Sequence, residues 1–174
     1  MAYFKENFEK VLNEESVSYI IPIWSKTKIK DIEESIKSLK TESHLIKEII
    51  IVYDGFDSFN LDFQIPNLFQ KKIIFLYTYY NKGPGIARNL GARFSRSSIL
   101  FFLDAGDTSS KNRVQLQLKE LVNSDVCFGN IREINYFEKK RIRKGAINST
   151  KAKQKLPFRN PFKNVTLAIK KDSF

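Results

Sequence analysis

The sequence predicts an α/β fold, a mostly parallel sheet flanked by helices, and three observations predict it. Short apolar runs (Val17 to Ile23, Glu48 to Tyr53, Lys72 to Thr78, Ser98 to Leu103) have the length and β-branched content of strands buried on both faces. Stretches with apolar residues at helical spacing lie between them, the alternation that builds parallel sheets. Aspartates follow two of the runs, Asp54 after the second and Asp104 and Asp107 after the fourth. Open α/β sheets bind ligands beyond the carboxyl ends of their strands, so these carboxylates stand where ligands are met.

Each element has its own warrant. Residues 1–16 are a lead-in in which Phe4, Phe8, Val11 and Leu12 could share one side of a short helix. Val17 to Ile23 is the first strand, with Pro22 at its end, where a missing N–H disturbs a sheet least. Ile29, Ile32, Ile36 and Leu39 mark the stripe of a helix whose Asp31, Glu33 and Glu34 suit its amino end. Glu48 to Tyr53 is the second strand, and a strand, helix, strand unit is a right-handed parallel crossover. Leu61 to Phe69 reads as a short helix broken by Pro66, and Lys72 to Thr78 as the third strand. Gly83, Pro84 and Gly85 turn the chain into a helix carrying Ile86, Ala87, Leu90 and Phe94. Ser98 to Leu103 is the fourth strand, and Asn112 to Val122 a helix with Ser109 and Ser110 as its capping residues. Asp125 to Asn130 begins a strand that continues to Ile134, and Val165 to Lys170 alternates like a half-exposed one. Between them residues 137–160 form a basic loop.

A chain of 174 residues with 42% hydrophobic content can bury one sizeable core, so residues 1–174 are read as one domain. No apolar run is long enough to span a bilayer, and the start, MAYFKENFEKVLNEES, lacks the pattern of a signal peptide. The lone Cys127 cannot form an internal disulfide and reads as a small core hydrophobe, which fits a reducing compartment such as the cytoplasm. His44 has no nucleophile near it in sequence and receives no catalytic role. A net charge of +11 calls for an anionic partner. Lys139 to Lys155 concentrates cations with no acid, and reads either as a solvated loop or as a segment docking on anionic lipid or phosphate. No recognition motif accompanies it, and nucleic acid is not expected as a partner.

Acid at the sheet rim of a basic protein is an inversion. Its simplest explanation is a divalent cation, Mg²⁺ or Mn²⁺, held by carboxylates of two loops, Asp54 and the pair Asp104 and Asp107, beside a phosphate-bearing ligand; turn formation or helix capping is the bland alternative. Asn81, Lys82, Arg88 and Asn89 set amides and fixed cations around the glycine turn at a helix start, which reads as a phosphate cradle or simply as a turn. Trp24 suits either packing or base stacking.

In the order SYIIPIW, EIIIVYDGFD, NKGPGIARNLGA, ILFFLDAGD and RNPFKNVTLAIKK, the chain from Val17 to Lys171 resembles the family 2 glycosyltransferases. The resemblance implies a GT-A fold, Rossmann-like, and an inverting transfer of a sugar from a nucleotide-diphosphate donor, a UDP-sugar, to a saccharide or lipid-linked acceptor in surface glycan synthesis. A non-catalytic nucleotide-binding remnant of such an enzyme is the alternative. Position by position it implies that Pro22 and Trp24 border the nucleoside, Asp54 hydrogen-bonds the base, and Asn81, Lys82 and Arg88 approach the donor. Asp104 opens the metal and ribose motif, while Arg159 to Pro161 and Thr166 flank the sugar and acceptor. Tyr53 departs from the acidic or amide residue often found before Asp54, altering the base contacts, and Gly106 stands where many relatives carry the metal-binding aspartate. The chain stops at Phe174, before the segment where relatives carry the catalytic base, so the acceptor-side part is expected to be missing and the base is unassigned. A lipid-linked acceptor would put the cytoplasmic protein at the inner face of the membrane.

Overall fold

The computed structural model describes residues 16–55, 64–134, 139–145, 150–151, 154, 157 and 162–174. The lead-in helix, the start of the Leu61 to Phe69 segment and Arg159 to Pro161 lie outside them. A six-stranded sheet is formed by β1 (Val17–Trp24), β2 (Ile46–Asp54), β3 (Ile73–Thr78), β4 (Ile99–Phe102), β5 (Val126–Phe128) and β8 (Leu167–Lys170), in the order β3-β2-β1-β4-β8-β5. β6 (Ile131–Ile134) and β7 (Lys140–Arg143) pair antiparallel as a separate sheet. β1, β2, β3 and β4 are parallel, and β8 runs against both β4 and β5.

The alternation of each strand sorts its side chains between two cores. Tyr19, Ile21, Ile49, Ile51 and Phe101 face α1 (Ile29–Ser38) and α3 (Arg113–Leu121), whose Ile32, Ile36, Val114, Leu118 and Leu121 complete that core. Ile20, Ile50, Val52, Leu100 and Phe102 face α2 (Pro84–Phe94). α2 lies down on its small residues. A Cβ on Gly91 would come 2.6 Å from Ile20 Cγ2 and 3.2 Å from Val52 Cγ2, so glycine sets the distance between helix and sheet. Ala87 and Ala92 bury beside it, whereas Ile86 and Phe94, which share the helical spacing seen in the sequence, are exposed. The helix is too close to the sheet there for large side chains to lie between them.

Four further expectations change. β1 continues two residues past Pro22, and Pro22 costs no ladder bond. Leu103 N–H donates to the Ile20 carbonyl, so Pro22, two residues on, also faces the β4 side, beyond the point where β4 has left the sheet. The stretch from Asp125 to Ile134 is two strands in different sheets. β8 is internal, with Ala168 and Ile169 buried, because β5 pairs outside it. Within the basic loop, Lys140–Arg143 forms β7.

The amino end of α3 differs too. Neither Ser109 nor Ser110 caps it: Asn112 precedes the helix at φ 63 with no side-chain cap of its own. The buried Glu42, 72 residues from Val114, accepts from the amides of Val114 and Gln115, each at 3.0 Å. A carboxylate answers the unpaired amides and the positive end of a helix as a local cap does.

Candidate functional site

The strand order places β1 between β2 and β4, so the chain winds outward to β3 and returns on the other side of β1. α1 crosses on one face of the sheet and α2 on the other. Strand connections that diverge in this way leave a crevice beyond the carboxyl ends of β1 and β4, the usual ligand position in open α/β sheets. The register brings Trp24, Asp54 and Thr78 side by side at that rim.

Asp54 is 4% exposed and fully engaged. The amides of Lys82 and Gly83 donate to its two oxygens at 2.9 and 2.6 Å, and Thr78 Oγ1 lies 2.8 Å from Oδ1. Thr78 Oγ1 also accepts from Gly55 N–H. Gly55, at φ 107, lets the chain turn where a Cβ would approach Asn81 N to 3.3 Å. The acid therefore fixes the turn that starts α2, an anion at a helix amino end. Asn81 and Lys82 are exposed on that turn.

One turn further along α2, Arg88 reaches across to Asp104, with Nη2 to Oδ1 at 2.5 Å. Arg88 is 14% exposed and Asp104 42%. The Arg88 Nε is buried without a hydrogen-bond partner among the described residues. The acidic loop is held from α1. Ser35 Oγ receives the Gly106 amide at 3.0 Å and lies 2.7 Å from the Asp107 carbonyl, while Ser38 Oγ accepts from Ser109 N–H. Asp107 N–H closes a turn onto the Asp104 carbonyl, with Gly106 at φ 93, a backbone conformation that side-chain-bearing residues rarely adopt. Burial and the like charge of Asp104 push the Asp107 carboxyl up, against the opposing pull of Arg113.

Two carboxylates on one turn form a donor set that fits Mg²⁺ or Mn²⁺, ions that typically take one or two protein carboxylates and complete their shell with water and phosphate oxygens. Among the described residues no three His, Cys, Asp or Glu side chains gather into a fuller site.

Trp24 is 44% exposed at the rim, with Lys26 Nζ over its ring, 5.3 Å from the centroid. Tyr53 does not line this face: its alternation points it into the core beneath α1 and α3. Thr166 is tied to Gly129 by reciprocal bonds, its Oγ1 3.1 Å from the Gly129 amide and 3.0 Å from the carbonyl. Cys127 is free and half-buried, and burial raises its thiol pKa. Thr78, Ser35 and Ser38 are the supporting residues that sequence reasoning missed. Thr78 carried a signal, as the last residue of a strand ending at the rim; a serine within a helix carried none.

A switch-point crevice, a carboxylate-fixed helix start and an acidic loop after β4 are features of a GT-A fold. Accordingly, the sequence matches the description "Glycosyl transferase family 2" over residues 18–173, and the chain belongs to that family. An uncharacterized glycosyltransferase of Rickettsia conorii is 31% identical over 120 residues, which is 69% of this chain and 19% of that protein. The Escherichia coli UDP-Glc:alpha-D-GlcNAc-diphosphoundecaprenol beta-1,3-glucosyltransferase WfgD is 26% identical over 121 residues, 68% of this chain and 47% of that protein. The crystal structure of S. aureus TarS superposes with a TM-score of 0.51 at 24% identity, covering 65% of this chain and 21% of TarS, and supports the fold. The chain thus spans between about a fifth and a half of the length of these relatives.

Proposed function

We propose that this domain binds a nucleotide-diphosphate sugar, a UDP-sugar, at the β1/β4 crevice and serves an inverting sugar transfer to a saccharide or lipid-linked acceptor. One observation carries the reading: the turn that starts α2 is bonded to Asp54 on one side and, through Arg88, to Asp104 on the other. Nucleoside, diphosphate and sugar then have a continuous surface to lie on. The base stacks on Trp24 beside Pro22, and the diphosphate meets Lys82 and the amino end of α2. Arg88 orients Asp104 toward the ribose and sugar. The name of the Escherichia coli relative, with its UDP-Glc donor and diphosphoundecaprenol acceptor, supports both ends of the proposal.

In the reaction the acceptor oxygen bonds to the anomeric carbon as the bond to the diphosphate oxygen breaks, and the electron pair leaves with the nucleoside diphosphate. The acceptor proton passes to a general base, a role that no described residue is assigned. Lys82 stabilises the charge developing on the leaving group, the preorganised electrostatic contribution that is often the largest in catalysis. A bound Mg²⁺ or Mn²⁺, held by Asp104 and Asp107, would add Lewis-acid stabilisation of the same charge.

The test is twofold. UDP should raise the melting temperature, more so with Mn²⁺ than with EDTA, because ligands that bind only the native state stabilise it. Incubation with UDP-sugars and acceptor lipid should release UDP. Stabilisation without release from any donor would favour the nucleotide-binding remnant, and no stabilisation at all would refute the donor site.

A further inference from the structure

The β6–β7 hairpin plays no part in the donor site, yet its surface combines exposed apolar and cationic side chains on one face. Its register sets Arg132 opposite Ile142 and Ile134 opposite Lys140. Side chains alternate along strands, so these four share one face, and Ile131, Glu133, Arg141 and Arg143 share the other. Glu133 meets Arg143 at 2.7 Å on that second face. The first face looks outward: Ile134 and Ile142 are 62% and 60% exposed, between the exposed Arg132 and Lys140. A single exposed isoleucine would be ordinary. Here two occupy diagonal cross-strand positions, close enough to form one apolar spot inside a cationic frame. The described residues of the hairpin and its flank carry Arg132, Lys139, Lys140, Arg141, Arg143 and Lys144 against Glu133 alone.

The hairpin also has a defined place. β5 is antiparallel to β8, and β8 to β4, so β5 points the same way as β4 and delivers the chain to the rim that carries Asp104. Ile131 follows Phe128 after two residues, and Gly145 N–H returns to Asn130 Oδ1 at 3.3 Å, closing the base of the hairpin at that rim.

We propose that the outward face of the β6–β7 hairpin docks on an anionic lipid bilayer, with Ile134 and Ile142 entering the headgroup boundary and Arg132, Lys140 and their neighbours resting on lipid phosphates. A soluble polyanion would satisfy the cations but leave both isoleucines in water, and the described residues of this face include no aromatic ring on which bases could stack. A bilayer surface satisfies both chemistries at once. The docking stands on the hairpin's own residues and rests on the donor-site reading only for its purpose, holding the crevice at the depth of a lipid-linked acceptor.

The test is sedimentation with phosphatidylcholine vesicles, with and without phosphatidylglycerol, beside heparin binding as the soluble polyanion. The protein should sediment with the phosphatidylglycerol vesicles only. The double variant Ile134→Ser, Ile142→Ser should lose roughly tenfold in vesicle affinity while keeping its heparin affinity. Arg132→Glu with Lys140→Glu should weaken both. Vesicle binding unchanged in the serine variant, or heparin binding without vesicle binding, would overturn the proposal. UDP-induced thermal stabilisation, read on the same variants, should match that of the unaltered protein, which also reports that they fold. Its absence from every form, with vesicle binding intact, would sink the donor site and leave the docking standing.

Discussion

β2 carries two buried acids on one face, Glu48 near its start and Asp54 at its end, and each grips one end of α2. Asp54 takes the amides of Lys82 and Gly83 ahead of the helix. Glu48 takes the amide of Arg96 at 2.6 Å and its Nε at 2.7 Å just after the helix, with Ser18 Oγ donating at 2.7 Å. Six residues of strand span about 20 Å, and α2 with its flanking residues bridges that length while Gly91 presses on Ile20 and Val52 between the two grips. The difference lies in the surroundings. Glu48 bonds Ser18 and its arginine, with Ser95 bonded to Ser18 behind them, whereas Asp54 pairs in register with an exposed tryptophan and bonds the amide of an exposed lysine. The same chemical device is structural at one end of the sheet and, under our proposal, faces a ligand at the other.

The largest effect should come from the structural end. Glu48→Ala removes the acceptor of three donors, and urea denaturation should show a loss of about 3 kcal/mol, since a buried polar group left unpaired costs its desolvation. UDP should still stabilise the folded fraction. Gly91→Ala should cost about 2 kcal/mol by overpacking α2 against β1. Asp54→Ala should cost less, about 1 kcal/mol, the typical loss of a helix cap. It should nonetheless abolish the UDP-induced rise in melting temperature; a retained rise would dissolve the distinction between the two acids.

Acid unfolding sharpens the comparison further. Burial pushes the Glu48 carboxyl up, but the Arg96 amide, the Ser18 hydroxyl and the Arg96 guanidinium outweigh it and hold the group below its ordinary value. Its contribution to stability is therefore complete above about pH 4.5 and is lost as the pH falls through the lowered native value. Glu48→Gln should flatten that acid limb in a series of melting curves. The smallest effect concerns the rim. Asp107→Asn removes a carboxylate repelled by Asp104, so the ligand-free protein should melt slightly higher while losing the extra stabilisation that Mn²⁺ confers with UDP.

The parallel strands were legible because each is a continuous apolar run of the right length, and the rim followed from the aspartates that end two of them. Distance in sequence hid the rest. Glu42 caps α3 from 72 residues away, so no local pattern could displace Ser109 and Ser110 as the expected caps. The helical spacing of Ile86, Ala87, Leu90 and Phe94 did not say which face α2 buries, because the helix approaches the sheet closely enough to select Ala87, Gly91 and Ala92. Gly83, Pro84 and Gly85 marked where α2 starts, but nothing in their neighbourhood identified Asp54 as the residue that fixes them. β8 resembled a half-exposed strand because its partner β5 lies some forty residues earlier.

Because α2 is fastened to Asp54 at its start and carries Arg88 to Asp104, it acts as a yoke between two loops that belong to different strands. Under the donor-site proposal, a nucleoside held beside Asp54 would be coupled through Lys82, Gly83 and this helix to the carboxylate of Asp104, so that occupancy at one end of the crevice steadies the other.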